Sequence, residues 1–376
     1  MQVNGQCDER FQAVRDTFVA NFEQGLEIGA SVAVTLDGRS VVDLWAGEAA
    51  EGGAPWEQDT IVNVYSSTKT MAALCVLMLA DRGEVDLSAP VAKYWPEFAA
   101  NGKQDVLVRH VMSHSAGLSG FDTPVKVEQL YDWNFICEQL AAQAPWWEPG
   151  TVSGYHAITQ GYLQGEIVRR VSGRSIGTFF REEVAVPLGA DFHIGLDAEH
   201  DSRVGELKPP GAFPGAEEPD KGSVAARTFD SCQLEGTEPR TRAWRAAEIP
   251  AAGGIGNARA ISRVHSAIAC GGEVDGVRLL SQPTIDKLLE EQTNGTDLVL
   301  RVPIRFGMGY GLNSAQFPIG PNERVCFWGG WGGSLALIDM DARLTVSYVM
   351  NKMGSGVMGD TRGGSLAIAA YQSLAG

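Results

Sequence analysis

"VYSSTKTMAALCVLMLADRG", residues 64–83, is the stretch from which the fold and the chemistry can both be read. From Met71 to Ala80 it is apolar almost all round, and a helix that is apolar on every side belongs in the interior of a protein. At its mouth stands Ser66-Ser67-Thr68-Lys69, the single S-x-x-K in the sequence. Three positions along a helix return to nearly the same side, which makes Ser66 and Lys69 neighbours. A lysine at the mouth of a buried helix is partly desolvated; its ammonium form is disfavoured, and the amine becomes a proton acceptor for the serine. The helix N-terminus also favours negative charge developing there. Taken alone, S-x-x-K is a weak signal whose commoner meaning is a helix cap followed by a solvated lysine, so its company decides.

Two further elements supply that company. In "EPGTVSGYHA", residues 148–157, Tyr155 follows a Pro149-Gly150 turn and precedes a helix. A phenol beside a lysine ammonium loses its proton more easily and serves as general acid and base, although a lone buried tyrosine is by default a core residue with a satisfied hydroxyl. In "CFWGGWGGSLALID", residues 326–339, four glycines precede a strand. Glycine there admits another backbone or a ligand at close range, and the exposed N–H groups of such a strand can hold an oxyanion.

Working outward, "ASVAVTLDGRSVVDLWAG" reads as two strands about an Asp37-Gly38 turn, preceded by a helix carrying Phe11, Val14, Phe18 and Phe22. The chain is thus expected to open helix, strand, strand. At the far end "SLALIDMDARLTVSYVMNK" gives a second strand pair, turning near Asp339 to Ala342, and "GGSLAIAAYQSLAG" a closing helix. Between these ends the signals are mostly helical: "DVLVRHVMSH", "VEQLYDWNFICEQLAAQ", "ITQGYLQGEIVRRVSG" and "ARAISRVHSAIACGG". The fold class expected is α+β: an antiparallel sheet flanked by helices, formed by residues 1–65 and 250–376, beside a mostly helical domain of residues 66–249, with the site at their interface. "KPPGAFPGAEEPDKGS", residues 208–223, has turn composition and reads either as a loop over the cleft or as a surface excursion.

Composition excludes several functions. With 376 residues, 44% hydrophobic and 20% charged, the chain buries a large core. A net charge of -16 and no dense Lys/Arg cluster argue against nucleic acid and anionic membrane as partners. The start "MQVNGQCDERFQAV" lacks the layout of a secretory signal, and no apolar run reaches spanning length, so a cytoplasmic location is expected. Six cysteines, scattered without C-x-x-C pairs, read as free thiols, and neither a metal nor an organic cofactor is expected.

A rival serine exists. Gly173-Arg174-Ser175-Ile176-Gly177 fits G-x-S-x-G, but a nucleophile elbow needs a strand entering the motif. Here Ile158, Tyr162, Leu163, Ile167 and Val171 form one helical stripe leading into it, so Gly173 reads as a helix stop and Ser175 as the cap of the next helix.

In order, "YSSTK", "LADRGEVDLSAPVAKYWPEF", "VLVRHVMSHSAGL", "WEPGTVSGYHAITQGYLQGEIVRRVSGRSIGTFF", "AAGGIGNARAISRVHSAIACGGEVDGVRLLS" and "WGGWGGSLALID" resemble the serine β-lactamase and penicillin-binding-protein superfamily over nearly the whole chain. The resemblance is to the class C β-lactamase-like branch that contains the family VIII carboxylesterases. It implies Ser66 as acylated nucleophile, Lys69 as general base or proton relay, and Tyr155 as the acid/base that opens a Y-x-N position. It also implies an oxyanion hole from the backbone N–H groups of Ser66 and Trp331, and a substrate-binding stretch Trp328-Gly329-Gly330 where β-lactamases carry K-T-G. Two departures stand out. Y-x-N reads Tyr155-His156-Ala157, and Trp328 replaces the K-T-G lysine, so polar recognition of a β-lactam is lost while acyl-transfer machinery remains.

The expected function is therefore hydrolysis of a small-molecule ester, short-chain esters first, through an acyl-serine. The alternatives are a β-lactamase, a D-amino-acid peptidase or an acyltransferase of the same fold, and, further off, a catalytically silent scaffold. His114 and His156 tempt a Ser-His-Asp triad, but His114 lies in a "SHSAGL" block and is expected to make structural hydrogen bonds. Trp146, Trp147, Trp328 and Trp331 read equally as pocket or core. Oligomeric state is left open by the sequence.

Overall fold

The computed structural model describes residues 2–211 and 220–375. Among them nine strands form one antiparallel sheet. From one edge to the other they run Val3–Cys7, Arg39–Gly47, Gly29–Leu36, Leu344–Met350, Leu335–Asp339, Val325–Gly329, Gly311–Leu312, Pro303–Phe306 and Thr293–Thr296. Both expected strand pairs are present, turning at Asp37-Gly38 and after Asp339. The two chain ends are knitted together in the middle: Val34 faces Val346, and Thr35 Oγ1 lies 2.6 Å from Thr345 Oγ1.

Successive residues on a strand face opposite sides of a sheet, and Ser347 and Tyr348 use that rule to locate the helices. Ser347 Oγ accepts from Ser262 of the helix Ala258–Ala269 at 2.9 Å, whereas the Tyr348 ring meets Arg362 of the closing helix Thr361–Ala375. Those helices therefore cover opposite faces. Residues between the two sheet-forming ends are largely helical, and a single hydrophobic cluster runs from the sheet into them. At its centre the helix Thr68–Asp81 is buried from Thr68 to Leu79, as its all-round apolar sequence requires.

Three readings change. The chain opens with an edge strand, Val3–Cys7, ahead of the helix Gln12–Glu23; "VNGQC" is polar and half exposed, so no apolar alternation marks it. The strands Thr293–Thr296, Pro303–Phe306 and Gly311–Leu312 on the far edge are short and rich in Gly, Pro and polar residues, which hides them in the same way. The stretch after Val127 is two elements, a 3-10 turn Val127–Tyr131 and a helix Trp133–Ala142, because extended Asp132 interrupts it and caps the second by accepting from Phe135 N at 3.0 Å. Residues 212–219 of the proposed loop over the cleft lie outside the described residues.

No helix among the described residues is long and apolar enough to cross a membrane. Cys75, Cys137, Cys232 and Cys326 are buried free thiols; Cys7 and Cys270 are free and half-buried.

Candidate active site

A small antiparallel sheet, Val62–Asn63 with Gly254–Gly256 and Phe192–Ile194, delivers the chain to the buried helix. Val64 N donates to Gly254 O at 2.9 Å, and the backbone then turns sharply at Tyr65, whose φ of +45° is unusual for a residue with a side chain. Such a conformation costs of order 1–3 kcal/mol and persists only where its surroundings enforce it. Thr68 does the enforcing: its Oγ1 donates to Tyr65 O at 2.5 Å and accepts from Gly254 N at 2.8 Å. The turn throws Ser66 to the mouth of the helix, one turn from Lys69.

There Lys69 Nζ lies 3.1 Å from Ser66 Oγ. It also donates to Ala157 O at 2.7 Å and Ala251 O at 2.9 Å, and its side chain is buried. No carboxylate accompanies it, so burial alone drives its pKa well below the ordinary lysine value. The amine thus sits within hydrogen-bond reach of Ser66 and two backbone carbonyls, and burial favours the form that has a lone pair to offer the serine.

Tyr155 completes the group, donating from Oη to Ser66 Oγ at 2.6 Å, with Lys69 Nζ 4.7 Å from its ring centre. Burial raises the phenol's pKa well above that of free tyrosine, while hydrogen bonds with Ser66 and Trp328 pull the other way. Tyr155 thus stays protonated. The structure brings Ser66, Lys69 and Tyr155 together as the sequence suggested.

The glycine-rich strand end lies against the same turn. A Cβ on Gly330 would stand 2.1 Å from Val64 O and 3.2 Å from Ser66 N, and one on Gly329 2.3 Å from Met358 O. Both positions are occupied by neighbouring backbone, so these glycines serve close chain packing. Ser334 Oγ donates to Val64 O at 2.8 Å and so accepts, at 2.9 Å, from Ser67 Oγ, tying the serine turn to the strand. The Trp331 N–H has no hydrogen-bond partner among the described residues. Trp328 is buried, its ring tilted against those of Tyr155 and Phe306, and its Nε1 donates to Tyr155 Oη at 3.3 Å. The residue that replaces a lysine therefore supports the phenol.

His114 makes the structural hydrogen bonds expected of it, and His156 does likewise. His114 Nδ1 accepts from His156 N at 3.0 Å, and the His156 ring bridges Gly154 O at 2.6 Å and Leu118 N at 3.1 Å. Burial lowers both pKa values, that of His156 to about 3. Trp146 and Trp147 are half-buried, the first stacked on Arg227 at 3.9 Å, the second donating to Val152 O at 3.0 Å. Ser175 caps the helix Ile176–Phe180 by accepting from Thr178 N at 3.2 Å, donates to Glu248 at 2.6 Å, and follows Gly173 at φ +72°. Among the described residues no three His, Cys, Asp or Glu side chains gather as a metal-ligand set.

One residue escaped the sequence reading. Buried Asp297 accepts through Oδ1 from Tyr155 N at 3.0 Å and from Val299 N and Leu300 N at 2.9 Å each, while Leu298 N donates to Ser153 O at 2.9 Å. An aspartate bonding the N–H groups two and three residues on is a local turn signal, legible in "GTDLVL"; its long-range bond to Tyr155 is not. Asp297→Ala strands three buried N–H groups, each worth about 1–3 kcal/mol. It should lower unfolding stability by about 3 kcal/mol in a urea titration, and Asp297→Asn, which keeps the Oδ1 acceptor, by much less. Equal loss in both would remove the acceptor role.

A serine hydroxyl held between a buried lysine amine and a phenol, at the mouth of a buried helix beside an antiparallel sheet, is an arrangement suited to acyl transfer, set in the β-lactamase/transpeptidase fold. The chain belongs to the beta-lactamase family, which matches residues 18–371. It is 36% identical over 375 residues to the Mycobacterium tuberculosis protein named esterase/beta-lactamase LipL, covering 94% of this chain and 83% of that one. A solved family VIII carboxylesterase is 44% identical and superposes with a TM-score of 0.93, covering 99% of this chain and 100% of that one. A penicillin-binding-protein homologue from Caulobacter crescentus is 40% identical with the same TM-score and coverage.

Proposed function

We infer that the protein is a serine carboxylic ester hydrolase in which Ser66, Lys69 and Tyr155 act in two steps. The observation that carries this reading is Ser66 Oγ standing 3.1 Å from a buried, unpaired lysine amine and 2.6 Å from a phenol. Ser66 attacks the ester carbonyl as its proton passes to the Lys69 lone pair. Negative charge collects on the carbonyl oxygen, for which the N–H groups of Ser66 and Trp331 are the donors. Collapse breaks the C–O bond to the alcohol, which takes a proton from Tyr155, and Lys69 returns one to the phenol. Water then repeats the path on the acyl-serine, giving the acid and free Ser66.

Ester cleavage is favoured over β-lactam cleavage because the Y-x-N position carries no amide side chain. Ala157 stands at the third place of the Y-x-N position, and the ring of His156 is committed to backbone partners. The solved relative named a family VIII carboxylesterase supports the same choice. The reading includes a preference for short acyl groups. A cytoplasmic location, supported by the free thiols, completes the proposal.

The test measures p-nitrophenyl acetate through decanoate alongside a chromogenic cephalosporin. Turnover should be greatest for the short esters and weak for the cephalosporin. Cephalosporin turnover without ester cleavage would replace this reading with a β-lactamase.

A further inference from the structure

We propose that Arg362, braced by Glu27 and Asp360, is the positioning residue that fixes the direction of the Trp331 N–H. The inference rests on the oxyanion role given to that N–H above.

The Trp331 N–H and the Gly330 C=O are opposite ends of one planar peptide, so holding the oxygen aims the hydrogen. Gly330 O accepts from Gly333 N at 3.1 Å and Gly359 N at 3.2 Å. Gly332 and Gly333 have φ of +98° and +131°, conformations reached without strain only by glycine, and neither carries a side chain to anchor the loop. Anchorage comes from outside. Arg362 Nη2 donates to Gly332 O at 2.6 Å, beside Gly354 N at 2.7 Å. A Cβ on Gly333 would lie 2.6 Å from both Arg362 Nη2 and Asp360 Oδ2, so the ion pair is pressed against the loop.

The guanidinium is itself fully committed. Its side chain is 6% exposed and that of Glu27 fully enclosed. Nη1 donates to Lys352 O at 2.8 Å, Glu27 Oε2 at 3.0 Å and Leu26 O at 3.1 Å. Nε and Nη2 reach Asp360 Oδ2 at 3.0 and 2.6 Å. Tyr348 Oη in turn donates to Glu27. With Glu27 and Asp360 both accepting from it and every N–H direction taken, Arg362 acts as a rigid bracket joining the start of the closing helix, the residues before the strand Gly29–Leu36 and the oxyanion loop. Lysine cannot replace it, because one ammonium point cannot reach partners on opposite edges of a fork.

Two substrates separate this role from simple stabilisation: p-nitrophenyl acetate and its thiono analogue, in which sulfur replaces the carbonyl oxygen and fits an oxyanion hole poorly. In Arg362→Lys, kcat for the oxygen ester should fall about 10- to 100-fold with little change in KM, and the oxygen-to-sulfur ratio of kcat/KM should shrink about tenfold. Wild-type turnover, or lost turnover with an unchanged ratio, overturns the proposal. Should Arg362→Lys fail to fold, Asp360→Asn, which leaves Arg362 and Glu27 in place, decides. Its ratio must shrink in the same direction, and an unchanged ratio overturns the proposal. Ser66→Ala run in parallel separates the two failures: an active Ser66→Ala removes the site assignment itself, whereas an inactive one beside an unchanged Arg362→Lys removes only the role of Arg362.

Discussion

Ser66→Ala should lower ester turnover by at least about 10³-fold, while Ser175→Ala keeps wild-type kcat/KM. The argument is geometric. Ser66 Oγ has an amine at 3.1 Å and a phenol at 2.6 Å, whereas the Ser175 hydroxyl is engaged with Thr178 N and Glu248. Ser175→Ala should still show itself, because removing a helix cap costs about 1 kcal/mol. A slightly lower Tm with intact activity is the signature of a cap. Mass spectrometry of acid-quenched enzyme should place the acyl adduct on the peptide containing Ser66. Loss of activity in Ser175→Ala with retention in Ser66→Ala would reverse the assignment.

Lys69→Arg should be as damaging, by about 10³-fold or more, although the two side chains are both basic and similar in length. The reason is that the mechanism needs a lone pair. Burial pushes the lysine pKa well below its ordinary value and so favours the neutral amine, whereas a guanidinium does not deprotonate in proteins. The sign of the pH dependence follows. Activity should rise with pH as Lys69 loses its proton, then stay level on the alkaline side, because burial holds the Tyr155 phenol protonated far above neutrality. A kcat/KM profile that falls as pH rises through neutrality would contradict a neutral-lysine base. For stability the same burial has its own sign: the unfolded chain binds the Lys69 proton more tightly, so this residue's contribution to stability increases with pH between its folded and unfolded pKa values.

Much of this site was legible in the sequence because its signals are local. The apolar run after Lys69 fixed burial, and burial fixed the lysine's chemistry; helix periodicity before Gly173 disposed of the rival serine. What stayed hidden depends on contacts between distant residues. The bond from the Trp328 indole N–H to Tyr155 is a pairing across 173 positions. Asp297 and Arg362 sit in unremarkable turn and helix-start sequences, and only the fold brings them to Tyr155 and Gly332. The opening strand was missed for a different reason: an edge strand with both faces partly wet carries no apolar alternation to detect.

The register that sets Val34 beside Val346 has a kinetic corollary. A ribosome emits the first strand pair long before its central neighbour exists, so one edge of that hairpin stays unsatisfied until Leu344–Met350 has emerged. The middle of the sheet is thus closed late, and until then the open edge can pair with another chain.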